Sequence, residues 1–435
     1  MKKVLLINPP IYDFAAFDLW AKPLGLLYLS SLLKRQGIGV DFLDYMDRKV
    51  GSAEAKSNKF GCGHYEKQKI AVKPEALKGI PRKYSRYGLS REKAESYLKS
   101  LDKPDIILIT SVMTYWYQGV FEAVETIKEI FPEVPVAIGG VYATLCGQHC
   151  ENTKADFIVA GGLQALNPVF QKTNINAVVP ESFSLFPIPD YSVYSQPEYA
   201  CLRISSGCPF RCSYCAQNIL CGDVFVSKTP ENVFEEIKIF DGQGIKNIVF
   251  YDDALLYNAD NMIKPLLGMI IKSGININIH TPNGLHIKYL DQELAALMKK
   301  AGFRQPRFSL ETADAALQKV TGNKTSNDMF EAAVKMLRQA GFDKGEYIIY
   351  LLMGMPGQSL GDVEESLRYV NKMGAKISLS EYSIIPQTKD FSNLPQKYIS
   401  EPLYHNKSVY PLFELKDWDE IRRIKNIAIK LNSML

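Results

Sequence analysis

Three cysteines fall within eight positions of "CPFRCSYC": Cys208, Cys212 and Cys215. Thiolates this close together are metal ligands by type. A structural zinc ion takes four tetrahedral ligands, usually from two CxxC pairs far apart, and no second CxxC pair occurs in the chain. A cubane iron–sulfur cluster usually takes four cysteines. Three would leave one iron without a protein ligand, and an open metal position admits a small molecule. Cys221, six residues on, is the alternative fourth ligand. Gly207 and Pro209 shape a loop able to wrap a cluster, and Arg211 offsets thiolate charge. Cys62, Cys146, Cys150 and Cys201 read as small buried hydrophobes. Elsewhere, "IHTPNGLH" (279–286) offers His280 and Asn283 to orient a substrate or exchange a proton near neutral pH. The aromatic run "TYWYQG" (114–119) either stacks on a flat ligand or packs between domains. Arg82, Arg86 and Lys407 either meet an anionic substrate or lie on a solvated surface.

The elements around these residues alternate strand and helix. "KKVLLINPP" reads as a strand stopped by a double proline, and "LGLLYLSSLLKRQG" as a helix ended by Gly37. "IGVDFLD", "PDIILITS", "VPVAIGG" and "ADFIVAGG" continue as buried strands, which predicts a parallel, doubly wound sheet over residues 1–164. An insertion at about 48–100, rich in Lys, Gly and Tyr, interrupts the rhythm. Ligands on such sheets bind at the carboxyl ends of the strands, here "NPP", "TSVMTYW", "GGVY" and "GG". Residues 165–199 read as a linker. From 200 to 390, strand and helix repeat six times, predicting a partial (β/α)6 barrel whose chemistry sits at the strand carboxyl ends. The cysteines lie just past the first of these strands. Residues 391–435 read as an extension closed by an amphipathic helix.

"CPFRCSYC", with an aromatic residue before its last cysteine, resembles the signature of the radical S-adenosylmethionine (SAM) enzymes. "FYDD" (250–253), "SLET" (309–312), "LLMGMPGQS" (351–359) and "YSIIPQT" (382–388) resemble the family's motifs after later barrel strands. The resemblance implies a [4Fe-4S] cluster on Cys208, Cys212 and Cys215 whose open iron binds SAM. Electron transfer then cleaves SAM to a 5′-deoxyadenosyl radical that attacks an unactivated C–H bond. It also implies Tyr214 near the adenine, Asp252, Asp253 and Glu311 at the amino or ribose groups, and Gly354 and Pro386 beside the adenine edge. On the residues alone, the two aspartates also read as helix N-caps, Glu311 as a surface charge and Gly354 as a turn. The first half resembles the cobalamin-binding domain that precedes many such enzymes, through "INPP", "PLGLLYLSSLLKRQG", "TSVMTYW" and "IGG". That implies Pro9, Pro10, Ser111, Tyr115, Gly139, Gly140 and Gly161 as the cobalamin cradle. The Asp-x-His-x-x-Gly of many members has no counterpart: "LDYMDRKVG" carries Asp44 but none of the chain's five histidines. Cobalamin bound without a histidine, with methyl transfer to carbon, and a domain kept only as a substrate platform are both consistent with that.

Of 435 residues, 46% are hydrophobic and 23% charged, with a net charge of +4. That is ordinary globular composition, with too little positive charge to argue for nucleic acid. No apolar run is long enough for a transmembrane helix, and the four-residue apolar run before Asn8 and Pro9 is too short for a signal-peptide core, so a cytoplasmic protein with reduced thiols is expected. A small-molecule substrate and an external one-electron reductant of flavodoxin or ferredoxin type complete the expectation. Its rivals are cobalamin-independent radical chemistry and a non-enzymatic iron–sulfur electron carrier.

Overall fold

Strands that are apolar on both faces need helices on both sides, and that requirement builds the first half of the chain. The computed structural model describes residues 1–51 and 56–435. It divides into two units: residues 1–197 with 394–406, and residues 198–393 with 407–435.

In the first unit, β1 (Lys3–Asn8), α1 (Leu24–Arg35), β2 (Gly39–Asp44), α2 (Arg91–Ser100), β3 (Ile106–Ile109), α3 (Tyr117–Ile130), β4 (Val136–Ile138) and β5 (Phe157–Ile158) follow in order. The strands pair in parallel as β5-β4-β3-β1-β2. This is a doubly wound sheet whose order reverses between β1 and β3, where such folds open a crevice. The crossover helix α2 lies inside the stretch read as an insertion. Only Ala94 and Leu98 of it are buried, so its apolar signal is faint, but Ser90 caps it by accepting from the Lys93 amide. The rest of that stretch makes antiparallel ribbons with Ile11–Asp13 and Phe17–Asp18. Residues 52–55 of it lie outside the described residues. The 165–199 stretch does not stand apart. Leu166, Val169, Phe170, Ile175, Ala177 and Val179 enter the same core as Val4, Leu6 and Leu29.

In the second unit, β6 (Ala200–Leu202), α4 (Pro230–Gly242), β7 (Asn247–Phe250), α5 (Ile263–Ser273), β8 (Asn278–His280), β9 (Leu285–His286), α6 (Gln292–Ala301), β10 (Arg307–Glu311), α7 (Asn327–Gln339), β11 (Ile348–Met353), α8 (Leu360–Lys372) and β12 (Lys376–Glu381) alternate along the chain. All strand pairs are parallel, as β6-β7-β8 and β9-β10-β11-β12. This is the six-stranded partial barrel expected, with its third strand broken into β8 and β9 by "TPNG" (281–284). Thr229, Asp291, Ser326 and Ser359 cap its helices through their side chains, which registers each helix against the next strand. A final helix, α9 (Trp418–Asn432), packs on α8 and β12.

Candidate functional site

The cysteine loop leaves the carboxyl end of β6. It is pinched shut where Ser205–Ser206 pairs antiparallel with Val226–Ser227. Gly207 makes the turn at φ +91°, and a Cβ there would meet the Val224 carbonyl at 2.5 Å, so only glycine fits. Cys208 is buried, Cys212 half-buried and Cys215 exposed. Burial pushes the Cys208 thiol up, while the backbone N–H groups of Phe210 and Gln217, hydrogen-bonded to Cys208 and Cys215, favour the thiolates. Only Asp260, Asp291 and Glu293, among the described residues, bring three ligand atoms within 4.8 Å of one another, and Lys264 bridges all three. Three thiols on one loop, with backbone amides aimed at the sulfurs of Cys208 and Cys215, have the donor set of a cluster with one open iron.

Asp252 is buried and aimed back at the chain. It accepts from the Ser205 amide and hydroxyl, each at 2.6 Å, and from the Ile204 amide at 3.1 Å. Burial raises its pKa to about 6. Asp253 pairs with Arg203 at 2.6 Å, and Arg203 also donates to the Cys221 sulfur at 3.9 Å. Neither aspartate caps a helix. Both fix the entry to the cysteine loop, and Cys221 belongs to the arginine.

Glu311 is no surface charge. It ends β10 at φ +69°, where the β10–β11 register is broken. A bulge re-aims the side chain, and a strained non-glycine residue at a strand end points to function. Its carboxylate accepts from Tyr214 at 3.2 Å and from Lys324 at 2.8 Å. Burial, then Glu311, pushes the Tyr214 phenol well up. Lys324 escapes sequence reasoning because nothing in "GNKTS" marks it. It arrives through the turn that follows the short helix Ala315–Val320.

Gly354, at φ +92°, donates to Gln358, and a Cβ on it would lie 2.7 Å from the Pro411 side chain. Pro386 is buried in the loop after β12. That loop reaches the cysteines: the Asp390 amide donates to the Ser213 carbonyl at 3.0 Å. Asn283 binds the Tyr251 carbonyl at 3.0 Å. His280 is not brought to the loop. It bonds Asn247, at the start of β7, at 3.1 Å, and burial, then Arg307, holds its pKa down near 3. The other histidine of the same motif, His286, is brought there. Phe210 lies edge-on to its ring at 4.6 Å, and its buried Nδ1 has no hydrogen-bond partner.

In the first unit, Pro9 and Pro10 are buried at the end of β1. Ser111 donates to the Gly139 carbonyl at 2.9 Å and accepts from the Tyr142 amide at 3.1 Å. Gly140 has φ +91°, and a Cβ would lie 2.4 Å from the Ser111 carbonyl oxygen. Gly161, at φ +99°, has nothing within 4 Å of such a Cβ. These residues all lie at the carboxyl ends of the sheet strands, with Pro9, Pro10 and Ser111 at the switch point between β1 and β3. Tyr115 and its neighbours are used in packing: Trp116 donates to Asp13, and Tyr117 meets Phe121, Tyr142 and His149. Arg86 is buried in a bidentate pair with Glu122 rather than on a solvated surface. No helix among the described residues is long and apolar enough to cross a membrane.

A parallel partial barrel with a three-thiol loop on its first strand defines a class, and residues 202–370 match the family model of the Radical SAM superfamily. The second unit carries a radical SAM domain. Over 441 aligned residues, covering 86% of this chain and 78% of the relative, the sequence is 22% identical to cytidylyl-2-hydroxyethylphosphonate methyltransferase of Streptomyces wedmorensis. It is 26% identical to an uncharacterized methyltransferase of Pyrococcus horikoshii over 46% of this chain, and there it spans only 42% of the relative. The radical SAM methyltransferase TsrM from Kitasatospora setae, solved with cobalamin and a [4Fe-4S] cluster bound, superposes with a TM-score of 0.66 at 16% identity, covering 91% of this chain and 78% of that one. The cobalamin-dependent SAM radical enzyme OxsB gives 0.59 at 13% identity, covering 99% and 61%. At these identities the structural likeness is one of fold.

Proposed function

We propose that this chain is a cobalamin-dependent radical SAM methyltransferase that places a methyl group on an unactivated carbon of a small molecule. The observation that carries the reading is the pinched three-thiol loop at the carboxyl end of β6, in a chain whose relative along most of its length is a methyltransferase. When bound, the cluster and SAM supply radical chemistry, and cobalamin supplies a methyl carrier.

The chain's own residues do the rest. Cys208, Cys212 and Cys215 hold the cluster. Tyr214, Glu311 and Lys324 offer a hydroxyl, a carboxylate and an ammonium to the polar groups of SAM. Gly354 and Pro386 shape the adenine side. Phe210, His286, Tyr257 and Tyr289 form a continuous aromatic wall beside the loop that excludes water. In the first unit, Pro9, Pro10, Ser111, Tyr115, Gly139, Gly140 and Gly161 line the cobalamin crevice, with glycine letting backbone approach the ligand. Of this unit's histidines, His64 lies edge-on to Phe17, His149 is bonded to Tyr142, and His405 to Thr114 and the Tyr398 carbonyl. None of them follows Asp44 in an Asp-x-His-x-x-Gly pattern, and on this reading cobalamin would bind without a protein imidazole. A TsrM structure with tryptophan substrate supports a small-molecule substrate of this kind. An external one-electron reductant of flavodoxin or ferredoxin type and a reducing cytoplasm suit the thiols.

The test is anaerobic reconstitution with iron, sulfide and cobalamin. Reduced protein given SAM releases 5′-deoxyadenosine, and the Cys212→Ala protein releases none. The cobalt(II) electron paramagnetic resonance (EPR) spectrum lacks splitting from a histidine nitrogen. Unchanged turnover in Cys212→Ala, or a parent protein that takes up no cluster, refutes the proposal.

A further inference from the structure

Lys324 holds a buried charge that the three thiols do not by themselves require. Its side chain and that of Glu311 are each only 11% exposed, and they pair at 2.8 Å. Replacing a buried ion pair with apolar groups is often neutral for stability or better, so stability alone does not account for it.

Four contacts bind the pair and its turn to the cysteine loop. Tyr214, between the second and third cysteines, donates to Glu311 and lies with its ring centroid 5.5 Å from the Lys324 ammonium. The Ser213 amide donates to the Thr321 carbonyl at 3.3 Å. A Cβ on Gly322, at φ +124°, would come 3.2 Å from the Cys212 Cα, so the turn carrying Lys324 packs directly on the loop. Lys324 stays charged: burial pulls its pKa down, but Glu311 and Cys212 outweigh that and hold it above the ordinary lysine range.

We infer that Lys324 and Glu311 form a fixed dipole that sets the reduction potential of an iron–sulfur cluster held by Cys208, Cys212 and Cys215. This rests on the radical SAM reading of the site. Reduction brings one electron from a one-electron donor, here dithionite, and adds one negative charge to the cluster. An ammonium fixed nearby in a low-dielectric setting stabilises the reduced form, and a carboxylate opposes it. Lys324 and Glu311 are in this respect positioning residues for charge.

The experiment is an EPR-monitored redox titration of the reconstituted full chain without SAM. Lys324→Met is expected to move the midpoint to more negative potential and Glu311→Gln to more positive potential, while Lys324→Arg stays near the parent. Loss of packing alone would move the first two variants the same way or not at all, and either result overturns the inference. Iron and sulfide per chain verify that each variant holds its cluster. Where Lys324→Met does not, Lys324→Gln replaces it, and an unchanged or more positive midpoint there refutes the inference equally. A parent protein without a cluster refutes the proposed function instead.

Discussion

Removing the Asp252 carboxylate separates a residue that builds the loop from one that binds the cofactor. Its oxygens take two backbone N–H groups and one hydroxyl, two of the three contacts at 2.6 Å. Charge-assisted bonds contribute about 2 kcal/mol each, so their joint loss in Asp252→Ala costs about 6 kcal/mol. Against this stands the cost of burying the charge: even with these bonds and Arg203 pulling it down, the pKa rises from 3.8 to about 6, so burial outweighs them for the ionised form. Removing the carboxylate relieves that cost and leaves buried donors unpaired, for a net loss of about 3 kcal/mol. Asp252→Asn keeps one acceptor and the volume, and loses about 1 kcal/mol. Because residues 204 and 205 lead straight into Cys208, the alanine protein also takes up less iron and sulfide on reconstitution. The assay is urea unfolding of the apo chain followed by cluster content and SAM affinity. If Asp252→Ala unfolds within about 0.5 kcal/mol of the parent, holds a full cluster and loses only SAM affinity, Asp252 is a cofactor ligand and this reasoning fails.

Three buried histidines make stability fall with acid: His280 and His286 in the second unit, with pKa values held down near 3, and His405 in the first, near 4, all by burial. A depressed folded pKa means the stabilisation is whole above the unfolded value of about 6.5 and is lost as pH falls below it, by about 2 kcal/mol per histidine at pH 5; urea midpoints at pH 7 and 5 should show this, and His405→Gln should lessen the drop. Gly140→Ala drives a Cβ to 2.4 Å from the Ser111 oxygen at a φ that alanine resists, so the first unit should lose about 1–3 kcal/mol and cobalamin uptake, read by calorimetry and the cobalamin absorption band. Cys221→Ser should keep its cluster, because the Cys221 sulfur is held by Arg203; loss of iron from that protein would restore Cys221 as a ligand.

Much of the fold was legible before folding. Apolar strands of four to six residues, glycines after helices and Pro9–Pro10 after β1 report local preferences and burial, and those depend on short stretches of chain. The spacing of Cys208, Cys212 and Cys215 is equally local, because one loop carries all three ligands. Helix α2 was hidden because a half-charged helix with two buried residues has almost no apolar period. The 165–199 stretch looked like a linker because its buried residues follow no helical or strand repeat, yet they fill a core.

What the chain alone left undecided is where each polar side chain ends its reach. "FYDD" names two carboxylates, but only the closed β6–β7 pairing turns Asp252 onto the backbone of residues 204 and 205 and gives Asp253 to Arg203. "IHTPNGLH" offers two histidines, and the break between β8 and β9 sends His280 to the strand starts and His286 to the cysteine loop. Lys324 is thirteen residues from Glu311 along the chain and 2.8 Å from it in space. Spacing within a loop is a property of sequence. Partnership between charges from different strands exists only once the barrel has closed and water has left.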